Sequence, residues 1–156
     1  MGQSLVIVPC GQAKIWDKRP DAGTVEARLA YSGGPFGVNR ACAERFADRW
    51  VVLRAKYGFI SPGFMIPGSY NVTFKRKKSA PVDVDTLREQ VERQGLVEFD
   101  PDIALGGKEY QRAVRAAFEQ WPVRIISPFA GLPIGKAMQA VKRAIAVGDP
   151  LYRGDS

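Results

Sequence analysis

Leu5-Val6-Ile7-Val8-Pro9-Cys10-Gly11 is the stretch from which the fold is read. Four apolar residues, three of them β-branched, run without a polar break and stop at proline, cysteine and glycine. A strand with one wet face alternates apolar and polar residues, whereas a continuous apolar run suits a strand covered on both faces. Residues 50–53, 103–105 and 123–126 read the same way as residues 5–8: short, apolar and bounded by turn residues.

Helical spacing fills the gaps between these runs. Val38, Cys42 and Phe46 recur every four residues, which predicts a helix over 36–48. Leu87 and Val91 mark a second helix, opened by Asp83 or Asp85 and closed by Gly95. Tyr110, Val114, Ala117, Phe118 and Trp121 form the stripe of a third, stopped by Pro122. Ile134, Met138, Val141 and Ile145 form that of a fourth, closing near Gly148. Strands alternating with helices predict an α/β fold: a mainly parallel sheet of four or five strands, helices on both faces, in a Rossmann-like three-layer arrangement. The 156 residues suit one domain, read as 1–148, with 149–156 as a flexible tail. Two long irregular stretches, 11–35 and 57–81, exceed ordinary connections, and such loops are often functional.

Composition removes several chemistries. There is no histidine, so Ser-His-Asp and Cys-His mechanisms are excluded. Acid–base work falls to carboxylates, lysine, tyrosine, cysteine or bound water. Two cysteines without histidine do not build a structural zinc site, and no metal or cofactor is expected. No apolar run approaches the ~20 residues that span a bilayer, and no basic leader precedes the first strand. A cytoplasmic protein, without a membrane partner and monomeric or a small homo-oligomer, is the expectation. The net charge of +7 favours polyanionic partners: nucleic acid, DNA ahead of RNA, or a nucleotide.

In open α/β sheets ligands bind beyond the carboxyl ends of the strands. Those ends carry Cys10-Gly11-Gln12-Ala13-Lys14, Arg54-Ala55-Lys56-Tyr57-Gly58, Gly106-Gly107-Lys108 and Ser127-Pro128. Cys10 reads either as a nucleophile with a lowered thiol pKa or as a small buried residue. Lys14 reads as a nucleophile or as a binder of phosphate or carbonyl oxygen. Tyr31 and Tyr70 are stacking candidates, and Ser61 and Asn71 are candidates for a base edge. Gly131 to Lys136, with Gly135 between, opens the last helix like a phosphate-binding turn, but its spacing is not that of a P-loop. Lys75-Arg76-Lys77-Lys78 beside Phe74 suits contact with a nucleic-acid backbone, or is a solvated loop.

Val6-Ile7-Val8-Pro9-Cys10-Gly11 with Lys14, Ala27-Arg28 through Tyr31-Ser32-Gly33, 54–62, and Pro67-Gly68-Ser69-Tyr70 together resemble the YaaA-like superfamily. The resemblance spans nearly the whole chain and is strongest in residues 5–71. The Pro-Cys-x-x-x-Lys start is similar to a core motif of archaeosine synthase, and the Gly131–Lys136 helix to that of the small-domain subgroup. The resemblance implies association with nucleic acid and action on a base. It matches Lys14 to the motif's nucleophile and Cys10 to its cysteine, and the carry-over stops there; from the strand-end loops, Tyr31, Ser32, Lys56, Tyr57, Gly58 and Ser61 are the candidates for contact with the base, and Tyr70 and Asn71 join Lys14 and Cys10 as catalytic candidates. Asn71 stands where that family carries a carboxylate. The expected activity is that of an enzyme on a base or its N-glycosidic bond, a hydrolase of DNA-glycosylase or base-modifying type. The alternatives are a non-catalytic DNA- or RNA-binding module of stress response and a nucleotide-binding sensor.

Overall fold

Leu5, Val6, Ile7 and Val8 are at most 1% exposed, so the run that opens the chain is the buried centre of the sheet. The computed structural model describes residues 3–68, 81–129 and 131–149. In chain order the elements are β1 (Leu5–Pro9), α1 (Ile15–Lys18), β2 (Val25–Glu26), α2 (Ala27–Ala30), α3 (Gly34–Phe46), β3 (Arg49–Arg54), β4 (Gly58–Ile60), β5 (Met65–Ile66), α4 (Val84–Arg93), β6 (Asp102–Ala104), α5 (Lys108–Ala117), β7 (Ile125–Ile126) and α6 (Ile134–Val147).

The main sheet has the order β4-β3-β1-β6-β7. β3, β1, β6 and β7 are parallel, and β4 runs antiparallel against β3 as a hairpin. Alternate residues of each strand feed the two faces. Val6, Val8, Val52 and Ile103 pack with Phe36 and Ala43 of α3, while Leu5, Ile7, Val51, Leu53 and Ala104 pack with Leu87 and Val91 of α4 and Val114 of α5. α6 joins α3 on the first face, and α4 joins α5 on the second. This is a three-layer α/β fold. The chain leaves β1 for β3 on one side and later returns to β6 on the other. The carboxyl ends of β1 and β6 therefore border a topological switch point, where such sheets bind ligands.

Several local expectations change. The antiparallel strand β4 was not among the runs read as strands. It exists because Gly58, at φ +78°, turns the chain, and Gln90 of α4 clamps it. Gln90 Oε1 accepts the Phe59 N–H and its Nε2 donates to the Tyr57 carbonyl, both at 2.8 Å. The third expected helix stops at Ala117, short of Pro122, because Phe118 turns in against Phe59 with ring centroids 6.1 Å apart. The strand expected over 123–126 shrinks to Ile125–Ile126. The buried stripe of α3 is Phe36, Asn39, Cys42 and Ala43 rather than Val38, Cys42 and Phe46. The irregular stretch 11–35 carries two one-turn helices, and its Val25–Glu26 pairs antiparallel with Met65–Ile66, so the two long loops bind each other. Asp83 caps α4 as expected, its Oδ1 accepting the Thr86 N–H at 2.8 Å, which lowers its carboxyl pKa. Among the described residues no helix is long and apolar enough to cross a membrane.

Candidate functional site

A cavity of ≈ 1120 Å³ opens at the switch point. Its floor is Pro9-Cys10-Gly11 from β1 and Ala104-Leu105-Gly106-Gly107 from β6; its walls come from α3, the first turn of α5, and the start of α6. The packing of the floor depends on one glycine. Gly106 has φ +110°, and a Cβ there would lie 2.9 Å from Pro9 Cγ. Gln111 then ties the turn down, its Nε2 donating to the carbonyls of Ala104 at 2.8 Å and Gly106 at 3.2 Å. The Gln111 Oε1 accepts the hydroxyl of Ser127, fixing α5 against the chain that follows β7.

The walls are mainly apolar: Phe36, Phe129, Leu132, Ile134, Met138 and Val141. Ile134 is 68% exposed although it sits on the stripe expected to be buried, because the first turn of α6 faces the cavity mouth rather than the core. Cys10, Tyr110 and Asn39 are among the polar side chains of the lining. Cys10 Sγ lies 3.2 Å from Tyr110 Oη, with either atom able to donate. Asn39 is 4% exposed, and its Oδ1 is buried with no hydrogen-bond partner among the described residues. A large cavity with apolar walls and a few convergent polar groups is the general form of a small-molecule site.

A second cluster adjoins the cavity at the carboxyl end of β3. Arg54 is fully buried, with Cζ 4.7 Å from the ring centroid of Tyr57 and 5.6 Å from that of Tyr31. Cation–π contact in a desolvated place is worth about 2 kcal/mol, which helps this guanidinium tolerate burial. Lys14 bridges to Tyr31 in antiparallel fashion, and its Nζ donates to the Gln12 carbonyl at 2.9 Å. Tyr31 also packs on Phe36, centroids 4.8 Å apart. Because Phe36 and Gln12 line the cavity, the Lys14–Tyr31–Arg54 cluster forms its shoulder.

The residues singled out from sequence thus divide. Cys10 and Gly131 line the cavity. Lys14, Tyr31 and Tyr57 stand on the shoulder; exposed Lys56 has its Nζ 5.3 Å from the Tyr57 ring. Ser32 and Ser61 are exposed, and Gly58 is buried against Gln90; none of these three lines the cavity. Gly135 and Lys136 are exposed on α6 and also lie off the lining. Tyr70, Asn71, Lys75, Arg76, Lys77 and Lys78 lie outside the described residues. Among the described residues no group of three or more His, Cys, Asp or Glu side chains gathers to hold a metal ion.

Sequence reasoning missed Asn39 and Phe36, placed Arg54 at a strand end without a role of its own, and took Tyr110 for core. A signal existed for Asn39: it stands three residues after Phe36 and three before Cys42, on the buried stripe of α3. A polar residue there needs a partner, and the fold supplies none from the described residues.

Fold and cavity together define an α/β domain with a cavity at its switch point. The chain belongs to a family of unknown function, DUF6884, whose model matches residues 5–143. It is 39% identical over 149 residues to the uncharacterized protein YfjM of Bacillus subtilis (strain 168), covering 90% of this chain and 94% of that protein. No solved structure matches the chain.

Proposed function

We propose that this protein binds a nucleobase in the switch-point cavity and acts on that base or on its N-glycosidic bond. The observation that carries this reading is the buried Oδ1 of Asn39, which has no partner among the described residues. A buried carbonyl oxygen without a donor costs about 1–3 kcal/mol. A base presents ring or exocyclic N–H groups that would donate to it, as side-chain amides read base edges elsewhere. Phe36 and Phe129 offer aromatic surface for a flat ring, and enzymes that act on bases hold them between such surfaces. Chemistry falls to Cys10 with Tyr110 as its proton partner, and to Lys14 at the shoulder. The similarity of Pro9-Cys10 and Lys14 to a base-modifying motif supports that assignment. Two free cysteines fit a reducing compartment, so the cytoplasm belongs to the same reading.

A thermal-shift panel of bases, nucleosides and oligonucleotides tests binding, since a ligand of the folded state alone raises the melting temperature. The reading expects a rise with at least one nucleoside. No rise with any base-bearing compound would overturn it. Incubation with base-modified oligonucleotides, scored for abasic sites or a borohydride-trapped adduct, tests chemistry; activity surviving Lys14→Ala would remove Lys14 from the reaction. A binding module without chemistry is the second reading, favoured by the net charge of +7. Its mark is affinity for nucleic acid that falls steeply with salt and survives Lys14→Ala.

A further inference from the structure

Resting on the base reading above, we propose that the ligand is a nucleoside 5′-monophosphate whose phosphate seats on the N-terminus of α5, at Gly106-Gly107-Lys108. Three helices of ten or more residues, α3, α5 and α6, turn their N-termini to the same cavity. Their N-cap residues are Gly33, Gly107 and Pro133, and none makes a side-chain cap hydrogen bond. Each helix start carries roughly half a positive charge and N–H groups that no carbonyl of its own helix reaches.

The side chains do not supply this field. Lys108 and Glu109 are the charged residues in the lining, and their charges cancel. The helix ends decide the sign of the potential, and they favour an anion. Among the three, α5 is the best seat. Its first four residues, Lys108, Glu109, Tyr110 and Gln111, all line the cavity. α3 has Pro35 near its start, which removes a donor, and Gly135 and Lys136 of α6 lie off the lining. Gly107 adds closeness, for it has no side chain and nothing lies within 4 Å of where its Cβ would be.

Asn39 is the independent pointer to a ligand. It is 4% exposed, lines the same cavity from α3, and holds an acceptor without a donor among the described residues. The cavity thus asks for one molecule with two ends: an N–H donor on a flat, apolar-faced group, and an anion. A nucleoside monophosphate has both, and a cavity of ≈ 1120 Å³ is ample for it, slightly larger than the usual small-molecule site of about 300–1,000 Å³.

The substitution that separates the two ends is Gly107→Asp. Gly107 has extended backbone, φ −80° and ψ −171°, which an N-cap aspartate adopts, and the space for its side chain is open. The carboxylate would cap the α5 N–H groups, steadying the helix while occupying and repelling the phosphate seat. Calorimetric titration of the full chain with the common nucleosides, their 5′-monophosphates and inorganic phosphate is the test. In the native protein at least one monophosphate is expected to bind about ten-fold more tightly than its nucleoside, ~1.4 kcal/mol. In Gly107→Asp the two are expected to bind equally, with the melting temperature maintained. Equal binding by the native protein, or a ten-fold preference that survives Gly107→Asp, overturns the phosphate seat while leaving the base reading standing. Inorganic phosphate binding that Gly107→Asp abolishes, with no nucleoside or nucleotide binding, overturns the base reading and the nucleotide with it. No binding by any probe overturns both.

Discussion

Cys10 and Tyr110 meet across the cavity floor, Sγ to Oη at 3.2 Å, and so join the carboxyl end of β1 to the first turn of α5. Tyr110 Oη also lies 3.4 Å from the Cys10 carbonyl, which orients the ring over the strand end. The contact puts a hydroxyl beside a thiol that lines the cavity.

The two thiols are therefore expected to differ in reactivity. Cys42 is 2% exposed, and burial pushes its thiol up to about 11, so almost no thiolate forms near neutrality. Cys10 is half-buried and lines the cavity. Iodoacetamide treatment of the native protein, followed by peptide mass spectrometry, is expected to label Cys10 alone, with Cys42 labelled only after denaturation. A bound nucleoside is expected to slow the labelling. Equal labelling of both thiols in the native state would contradict this assignment.

The hairpin of β3 and β4 depends on Gly58 and Gln90. An alanine Cβ at position 58 would collide with the Gln90 amide oxygen, at a backbone φ of +78° that disfavours it. Gly58→Ala is expected to cost about 3 kcal/mol by urea unfolding, from strain plus displacement of the clamp. Gln90→Ala strands the buried Phe59 N–H and the Tyr57 carbonyl and is expected to cost about 2–3 kcal/mol. The double variant is expected to lose less than the sum, because both changes break the same clamp.

Asp102 makes stability depend on pH. It is fully buried at the start of β6, and both carboxyl oxygens lack a hydrogen-bond partner among the described residues. Desolvation, helped by the nearby charge of Asp100, raises its pKa from 3.8 to about 8. The folded chain therefore holds a proton that the unfolded chain releases. Below the unfolded value both states are protonated and the fold keeps its full stability. As pH rises towards about 8, stability falls by up to about 1.4 kcal/mol per unit. Asp102→Asn, which mimics the neutral acid, is expected to flatten this slope and to be the more stable protein at pH 8. A native protein as stable at pH 8 as at pH 5, relative to that variant, would refute the account.

Most of the fold was legible because four apolar runs and four helical stripes carry strong periodic signals. Val6 and Val52 announce a two-sided strand, and Leu87 and Val91 a helix, whatever surrounds them. β2, β4 and β5 were not legible. They have two or three residues each, too few for a period, and β2 with β5 forms only when two distant loops meet. Within the site, Cys10, Gly106 and Gly107 were readable as the ends of strands. Asn39 carried only a partial signal, its spacing from Phe36 and Cys42, because a lone polar residue on a helix looks solvated until the buried stripe is known. Tyr110 was read as core because its ring continues the stripe of α5, while its hydroxyl reaches Cys10 only through the fold.

Asn39 also offers the most direct test of the base site. Asn39→Leu replaces a buried side chain whose amide oxygen has no partner among the described residues with an apolar one of similar size, so a purely structural role predicts no functional consequence. Nucleoside titration and thermal melting of this variant beside the native protein is the measurement. The account predicts a melting temperature at or above that of the native protein and nucleoside affinity lowered at least ten-fold, consistent with loss of a buried hydrogen bond of ~1–3 kcal/mol. Nucleoside binding undiminished in Asn39→Leu would contradict it.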